Sequence, residues 1–398
     1  MPTLDELRRT PNALAPHYSQ FRVSERLLLT GHSHQAWPDR GFEGQCQAWR
    51  DAATLVDEKW EAAFAKADRV RRGLARWLDD PDGTIALGEN THELVVKFIS
   101  GLPLGERPRL VATDGEFHTI RRQLDRLEEE GVEVVRVPAL PAATVAERMG
   151  QAVTEATAAV FVSAVLFRNA HIVPGLGTLS VACRGLGAEL LVDIYHAANV
   201  VPLSVREAGL EDAYVVGGGY KYCQFGEGNG FLRLPEDCAM RPVVTGWFSE
   251  FGTMANAKSD HRVHYGVGPV RFAGGTYDPT SHYRAAEVLD FFDDEGLTPE
   301  FLRRVSQHQI GLLSRCFDDL DADPGVIDRD RSVRLDGLGG FLALTARRAE
   351  ELCRVLREHG VMTDYRADVL RLGPAPYLSD AQLTAAMDAL GSAVRALS

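Results

Sequence analysis

The stretch Ala213-Tyr-Val-Val-Gly-Gly-Gly-Tyr-Lys-Tyr222 decides the predicted fold. It begins as a short apolar run, which predicts a buried strand, and Tyr220-Lys221 follows the three glycines. An earlier apolar run, Leu190-Leu-Val192, ends in Asp193, and His196 follows closely. A pyridoxal 5'-phosphate (PLP) site needs such a pair, because the lysine bonds to the cofactor and the ionised aspartate keeps the pyridine nitrogen protonated. The alternative interpretation is two buried strands that end in charged residues by coincidence.

Length and composition narrow the class of protein. A chain of 398 residues predicts two domains. The net charge of −13 argues against a nucleic-acid partner or an anionic membrane surface, and no apolar run approaches the roughly 18 residues of a membrane span. The six cysteines lie far apart without a Cys-x-x-Cys pair. Their spacing predicts reduced thiols in the cytoplasm and no metal site.

Strands and helices alternate through the first half of the chain. The predicted strands are 84–87, 110–112, 132–137, 159–165, 190–193 and 213–216. The predicted helices are 58–77, 92–100, 117–130, 142–155 and 178–186. This alternation predicts an α/β fold, with a mostly parallel sheet and helices on both faces. Ligands bind such sheets at the carboxyl ends of the strands, so Asp193, Lys221 and the turn at Asn90-Thr91 should converge there.

The pattern changes after Pro235. Residues 241–277 are rich in glycine, polar residues and isolated aromatics, which predicts an irregular connection beside the site. Helices at 281–292 and 299–320 precede a small α+β domain built from 335–344, 350–359, 369–372 and 380–397. We therefore predict an N-terminal segment at 1–55, a large PLP-binding domain at 56–270 and a small C-terminal domain at 271–398. The cleft between the two lobes should form the mouth of the site.

Asn90-Thr91 is the candidate phosphate seat. It lies where a strand turns into a helix, and free N–H groups and the helix dipole favour a dianion there. Taken alone, Asn90 is better explained as a simple helix N-cap. Together with Asp193 and Lys221, however, a phosphate site at Asn90-Thr91 is favoured over a simple N-cap.

Several segments resemble kynureninase, a fold-type I PLP enzyme of the class V aminotransferase group. Leu190–Leu203 and Gly217–Tyr222 match its Asp-x-x-His and Tyr-Lys-Tyr motifs. Arg241–Phe248, Arg271–Thr276 and Val369–Tyr377 resemble three further segments of that family. Their order and approximate spacing hold from about residue 84 to residue 378, which is most of the chain.

The resemblance implies the architecture of fold-type I PLP enzymes and a role for each matching residue. Lys221 would hold PLP and shuttle the α-proton, Tyr220 would be a second catalytic group, and Asp193 would pair with the ring nitrogen. The implied cofactor-binding residues, with these three, are Asn90, Thr91, Phe117, His196, Trp247 and Thr276. Phe117 would stack on the ring, while His196, Tyr220 and Thr91 would surround the phosphate.

The same resemblance implies a homodimer and a small-molecule amino-acid substrate. Trp247 and Thr276 would reach the cofactor of a neighbouring subunit. Arg371 would bind the substrate carboxylate. Ser33 and His34 would line the substrate pocket, where Gly31–Gln35 replaces the family's Gly-Asn-Ser-Leu-Gly.

The implied reaction is hydrolysis of the Cβ–Cγ bond of kynurenine, or of a related β-keto amino acid, to alanine and an anthranilate-type acid in kynurenine catabolism. Departures from the family pattern cluster around the expected substrate pocket and leave the substrate open. Beyond those at 31–35, they are His118-Thr119-Ile120, Gly226–Asn229 and Tyr277. Two alternatives therefore remain. One is another class V PLP enzyme, an aminotransferase or a Cβ–S lyase. The other is a non-enzymatic sensor, against which intact Lys221 and Asp193 argue.

Overall fold

A computed structural model describes residues 1–253 and 261–397. Its strands, in chain order, are β1 Leu27–Leu28, β2 Thr84–Gly88, β3 Arg109–Thr113, β4 Glu133–Val137, β5 Thr157–Ser163, β6 Glu189–Asp193, β7 Tyr214–Gly218, β8 Gly230–Leu234, β9 Ile327–Arg329, β10 Leu342–Ala346, β11 Val361–Met362, β12 Asp364–Arg366 and β13 Val369–Leu372. Its helices are α1 Leu4–Arg8, α2 Asp39–Leu55, α3 Lys59–Trp77, α4 Thr91–Ser100, α5 His118–Glu129, α6 Val145–Ala152, α7 Leu176–Gly185, α8 Thr280–Glu295, α9 Pro299–Asp319, α10 Ala349–Glu358 and α11 Asp380–Leu397.

The predicted fold class is confirmed. Strands β2 to β8 form one sheet in the order β2-β8-β7-β6-β5-β3-β4. Its pairs are parallel except those that β8 makes with β2 and β7. Most strands of this sheet are buried along their length, as strands covered by helices on both faces must be. Apolar clusters pack on both of its faces.

The small lobe is an antiparallel sheet of order β12-β13-β10-β9 with α9, α10 and α11 nearby. Two short 3₁₀ helices, Trp247–Thr253 and Gly268–Phe272, interrupt the connection that the sequence predicts to be irregular. Its residues 254–260 lie outside the described part of the chain. Within the described residues, no helix is long and apolar enough to cross a membrane.

The sequence-based predictions missed several parts of this architecture, including α1 and the short strands β9, β11 and β12. Strand β8 is only five residues long and lacks an alternating pattern, so it was not recognised. Helix α2 lies inside the predicted N-terminal segment and packs against α8. Strand β1 pairs in parallel with β11, so the N-terminal segment also joins the small lobe. The domain boundaries at 55 and 270 remain predictions.

Strand register places the site. Ser163 on β5 lies opposite Asp193 on β6, and Asp193 lies opposite Val216 on β7. The carboxyl ends of three neighbouring parallel strands therefore meet at one edge of the sheet. Tyr220 and Lys221 follow directly after β7 at that edge.

The contact between α2 and α8 depends on a glycine. A Cβ atom at Gly44 would lie 2.7 Å from the backbone carbonyl oxygen of Tyr283, which cannot move without displacing α8. We expect Gly44→Ala to destabilise the fold by about 1–3 kcal/mol, because the overlap outweighs the helix propensity of alanine. Thermal melting of the cofactor-free protein measures this effect.

Gly185→Ala provides a matched control for this experiment. Gly185 also lies in a helix, and a Cβ atom there would meet nothing within 4 Å. The melting temperature of Gly185→Ala should equal that of the wild type or lie slightly above it. Equal melting temperatures for Gly44→Ala and the wild type would contradict the proposed tight contact.

Candidate active site

A cavity of about 170 Å³ opens at the carboxyl ends of the central strands, and we call it the lysine cavity. Its walls come from the turns that follow β2, β3, β5, β6 and β7. The lining residues are Asn90, Thr91, His92, Phe117, Thr119, Ile120, Ser163, Val165, Phe167, Asp193, Tyr195, His196, Tyr220 and Lys221. Seven residues predicted for the site from the sequence therefore meet here: Asn90, Thr91, Phe117, Asp193, His196, Tyr220 and Lys221.

The Lys221 amine is buried among rings and one imidazole. Its Nζ lies 2.7 Å from Nε2 of His196, 4.6 Å from the centre of the Tyr195 ring and 5.4 Å from that of Phe117. Burial lowers the pKa of Lys221 to about 7, although the charge of Asp193 opposes this shift. A substantial fraction of the amine is therefore neutral near pH 7, and a neutral amine is the form that attacks an aldehyde.

Asp193 is buried with few partners. The backbone N–H of Tyr195 donates to Oδ1 at 2.7 Å. Burial raises the pKa of Asp193, while this hydrogen bond and the positive charge of Lys221 oppose the rise. A buried carboxylate is stable only when a cation or several donors face it. A protonated pyridine nitrogen would supply such a partner.

The N-terminus of α4 faces the same cavity. Asn90 caps this helix, since its side chain accepts a hydrogen bond from the N–H of Glu93 at 2.9 Å. The first N–H groups of the helix lack intrahelical acceptors and can receive an anion. The Thr91 hydroxyl, predicted to face a phosphate, instead donates to the carbonyl oxygen of Gly217 at 3.1 Å.

Glu116 is a buried acid that the sequence reasoning missed. Its carboxyl group accepts hydrogen bonds from the hydroxyls of Thr113 and Ser163, each at 2.6 Å, and from the N–H of Ser163 at 3.2 Å. Burial, with a contribution from the negative charge of Asp193, raises the pKa of Glu116 to about 7. Its position directly before Phe117 was the available signal, but only the fold brings it to Ser163.

The sequence reasoning named Arg371 but missed its cluster with Asp364 and His32, which joins the N-terminal segment to the small lobe. Nε2 of His32 lies 2.7 Å from Oδ1 of Asp364. Burial lowers the pKa of His32 to about 4, so its imidazole is neutral at pH 7. Burial opposes ionisation of Asp364, but hydrogen bonds from His32 and Arg371 and the charge of Arg371 hold its pKa well below the usual range.

Arg371 is not a free carboxylate receptor in this structure. Its Nε and Nη2 donate to the two carboxylate oxygens of Asp364 at 2.9 and 2.5 Å. Nη1 donates to the carbonyl oxygen of Phe167 at 2.7 Å. The planar fork that was predicted to grip a substrate is therefore already filled, and a role for Arg371 in substrate binding remains a prediction.

His34 contacts Tyr220 at the rim of the site, and Ser33 contacts His34. The rings of His34 and Tyr220 stack with centres 4.8 Å apart and planes 18° apart. Nε2 of His34 lies 3.7 Å from a carboxylate oxygen of Glu227. Ser33 makes a 3.1 Å hydrogen bond to Nδ1 of His34. The structure thus brings this pair to the mouth rather than to the Lys221 amine.

Trp247 and Thr276 do not line the lysine cavity. Thr276 belongs to a larger, open cleft of about 1040 Å³, which shares Asn90, Tyr195 and Tyr220 with that cavity. The Trp247 ring lies 4.3 Å from that of Phe248, which also lines the cleft, and the Trp247 side chain is exposed. That Trp247 and Thr276 contact the cofactor of a partner subunit remains a prediction.

The residues present fit PLP. Lys221 offers a partly neutral amine, Asp193 a buried carboxyl that lacks a full cationic partner, and Phe117 a ring beside the amine. His196 lines the cavity, and its buried Nδ1 has no hydrogen-bond partner within the described residues. The open N–H groups of α4 complete a seat for a phosphate. PLP could therefore bond to the amine, pair with the Asp193 carboxyl and place its phosphate at the start of α4.

Comparisons with known proteins show which proteins this chain resembles. A family model described as the kynureninase C-terminal domain matches residues 328–390, the part of the chain that holds Asp364 and Arg371. The kynureninase of Pseudomonas fluorescens is 25% identical over 96% of this chain and 92% of its own length. An uncharacterised aminotransferase of Bacillus subtilis, YcbU, is 21% identical over 87% of this chain and 89% of its own length.

Solved structures share the fold. A mutant of C-DES with glycine covalently linked to its PLP cofactor superposes with a TM-score of 0.81 at 17% identity, over 94% of this chain and 98% of that chain. The cysteine desulfurase CsdA of Escherichia coli gives a TM-score of 0.76 at 16% identity, over 100% of this chain and 99% of that chain. The resemblance to kynureninase and the prediction of PLP as cofactor are thereby confirmed. Fold, site and relatives together indicate a PLP-dependent enzyme.

Glu116 should make folding stability depend on pH. The folded chain holds the Glu116 proton up to about pH 7, whereas an unperturbed glutamate loses it near pH 4.5. The folded state binds more protons within this window, so stability due to Glu116 is present below it and is lost as pH rises through it. We expect the free energy of unfolding of the wild type to fall by up to about 3 kcal/mol relative to Glu116→Gln between these values.

Urea denaturation of both cofactor-free proteins at several pH values measures this difference. Glu207→Gln is the control, because this carboxyl is exposed. Its free energy of unfolding should vary with pH in parallel with that of the wild type. If the free energies of unfolding of the wild type and Glu116→Gln varied with pH in parallel, the folded protein would not retain a proton on Glu116 up to about pH 7.

Proposed function

We propose that this protein is a kynureninase-like hydrolase that uses PLP to cleave the Cβ–Cγ bond of kynurenine or a related β-keto amino acid, giving alanine and an anthranilate-type acid. The match of residues 328–390 to the kynureninase C-terminal domain carries this proposal. That segment includes Arg371, which contacts Phe167 in the wall of the lysine cavity. The family-specific part of the chain therefore adjoins the reactive lysine.

The reaction adds water to the Cγ carbonyl and leaves the electron pair of the broken Cβ–Cγ bond on Cβ, which takes up a proton. The side chains of the cavity can perform such proton transfers. When bound, PLP withdraws electrons from the Cα atom of an amino acid joined to it. Lys221 would hold the cofactor and, with its pKa near 7, can both remove and return a proton at Cα. Burial raises the pKa of Tyr220, so its hydroxyl keeps its proton and can deliver it to Cβ. Asp193 would keep the ring nitrogen protonated.

A second candidate reaction is cleavage of a Cβ–S bond. The supporting observation is the fold match to C-DES, whose complex with cysteine persulfide describes it as a cystine C–S lyase. That structure has a TM-score of 0.79 with this chain. An aminotransferase reaction is the third possibility, in line with the name of YcbU. We further propose that the protein acts in the cytoplasm, since its six cysteines are free.

Product analysis separates these reactions. We expect purified holoenzyme to convert kynurenine or 3-hydroxykynurenine to alanine and a fluorescent anthranilate. Cystine and cysteine should release no persulfide or sulfide, and 2-oxo acids should accept no amino group. Release of sulfur from cystine without cleavage of either kynurenine would replace the proposed function with the lyase reaction.

Asp193→Asn should fold and still lose most activity. A neutral amide cannot hold the ring nitrogen protonated, so electron withdrawal weakens, and we expect a loss on the order of 10²-fold or more in turnover. The melting temperature and the PLP content per subunit check that the fold and the cofactor site survive. Turnover close to that of the wild type would exclude this role for Asp193.

The proposed homodimer with shared sites can be tested by mixing subunits. A Lys221→Ala subunit paired with a Trp247→Ala subunit has one site with both residues intact, if Trp247 serves the partner's cofactor. Random reassociation should then restore about a quarter of wild-type activity. Mixing Lys221→Ala with Asp193→Asn should restore none, because both residues belong to one chain's cavity. Equal results for the two mixtures would refute the shared site.

A further inference from the structure

A buried lysine of α4 takes no part in the proton transfers at Lys221. Lys97 is 3% exposed, and lysine is almost never buried so fully unless its charge is paired. Its ammonium donates to Oε1 of Glu93, which lies four residues earlier in the same helix, and to the carbonyl oxygen of Phe272 at 2.8 Å. The positive charge of Lys97 therefore lies against one particular carboxylate.

That carboxylate belongs to the first turn of α4, close to the N–H groups that can receive a phosphate. Glu93 accepts from Lys97 through Oε1 and from the backbone N–H of Glu89 through Oε2, the latter at 3.0 Å. Glu93 lines the open cleft, whereas Thr91 lines the lysine cavity. Two donors thus hold the Glu93 carboxylate on the cleft side of the helix start.

The segment that carries Thr276 packs directly against this pair. A Cβ atom at Gly274 would lie 3.1 Å from Nζ of Lys97 and 3.2 Å from Oε1 of Glu93. The side chain of Lys97 is 4% exposed and that of Glu93 is 31% exposed. Charges covered in this way are screened by salt much less than those of a surface pair.

A phosphate at the start of α4 requires this end of the helix to be positive. The helix dipole and the first N–H groups attract a dianion, whereas an unbalanced carboxylate in the same turn repels it. His196 points independently to a ligand in the lysine cavity, because it is 5% exposed and its Nδ1 has no hydrogen-bond partner within the described residues. The charge of Glu93 would weaken phosphate binding there unless a cation balanced it.

We propose that Lys97 is a positioning residue for the cofactor phosphate, because it balances the charge of Glu93 and holds that carboxylate on the cleft side of α4. Lys97 does not line the lysine cavity, so it acts through Glu93 and not by contact with the cofactor. The inference rests on PLP with its phosphate at the start of α4. It is independent of the reaction that the enzyme catalyses.

Binding of PLP and of pyridoxal to the cofactor-free protein tests this role, because pyridoxal lacks the phosphate. Lys97→Met should raise the Kd for PLP by about 2- to 30-fold, the range for one charge near a helix terminus, and leave the Kd for pyridoxal unchanged. Glu93→Gln should lower the Kd for PLP, because the charge of Lys97 is then unbalanced. The double variant Lys97→Met/Glu93→Gln should return to the wild-type value, because both charges are gone.

Arg354→Met is the matched control. Arg354 and Glu358 form a pair with the same four-residue spacing on α10, and this variant should bind both ligands like the wild type. An equal loss of PLP and pyridoxal binding in Lys97→Met, or no recovery in the double variant, would mean that Lys97 serves only the packing of Phe272. Either result would overturn the proposal, as would a wild type that binds PLP no more tightly than pyridoxal.

Two further outcomes are decided by the same measurements. If Lys97→Met does not fold, Glu93→Gln decides alone, because an unchanged ratio of the two Kd values would refute the effect of charge. Failure of the proposed function gives a different result. A protein that shows this charge dependence but cleaves neither kynurenine keeps the assignment of Lys97, and only the reaction changes.

Discussion

The site depends on the burial of one amine at the edge of a parallel sheet. Lys221 is buried away from water, which disfavours its positive charge, and the negative charge of Asp193 compensates, with a smaller contribution from Asp364. Both the protonated and the neutral amine are therefore populated near pH 7. A lysine on the surface would remain protonated and would be a poor nucleophile. Because the residue before it, Tyr220, also lines the cavity, the same turn supplies both an amine and a hydroxyl.

Two buried acids at this edge of the sheet, Glu116 and Asp193, are stabilised in different ways. Glu116 receives three hydrogen bonds from Thr113 and Ser163 and keeps its proton up to about pH 7. Within the described residues, Asp193 accepts a hydrogen bond from the backbone N–H of Tyr195 and faces the Lys221 cation. Like charges so close together cannot both ionise cheaply, so protonation of Glu116 favours the ionised form of Asp193. The neutral acid thus supports the charge that the cofactor requires.

The second constraint is the contact between the lobes. Arg371 bonds to Asp364 within the small lobe and to the Phe167 carbonyl in the cavity wall. His32 brings the N-terminal segment to the same carboxylate. Asp364 and Arg371 together therefore join the N-terminal segment, the cavity wall and the small lobe, which are far apart in sequence. Removing any member would leave a buried polar group without its partner, so the cluster should stabilise the contact between the lobes.

The sequence by itself determined the α/β class, most of the strands, and the residues that end them. Apolar runs and helical periodicity are local patterns, and they sufficed to place Asp193, Lys221 and the Asn90 cap at one edge of the sheet. Only the tertiary structure decided which side chains pair across that edge. The bonds of Glu116 to Ser163, and of His32 and Arg371 to Asp364, join residues brought together by strand register and lobe packing. No local pattern specifies such register. The sequence therefore identified the residues at the strand ends but not which charged side chains pair with one another.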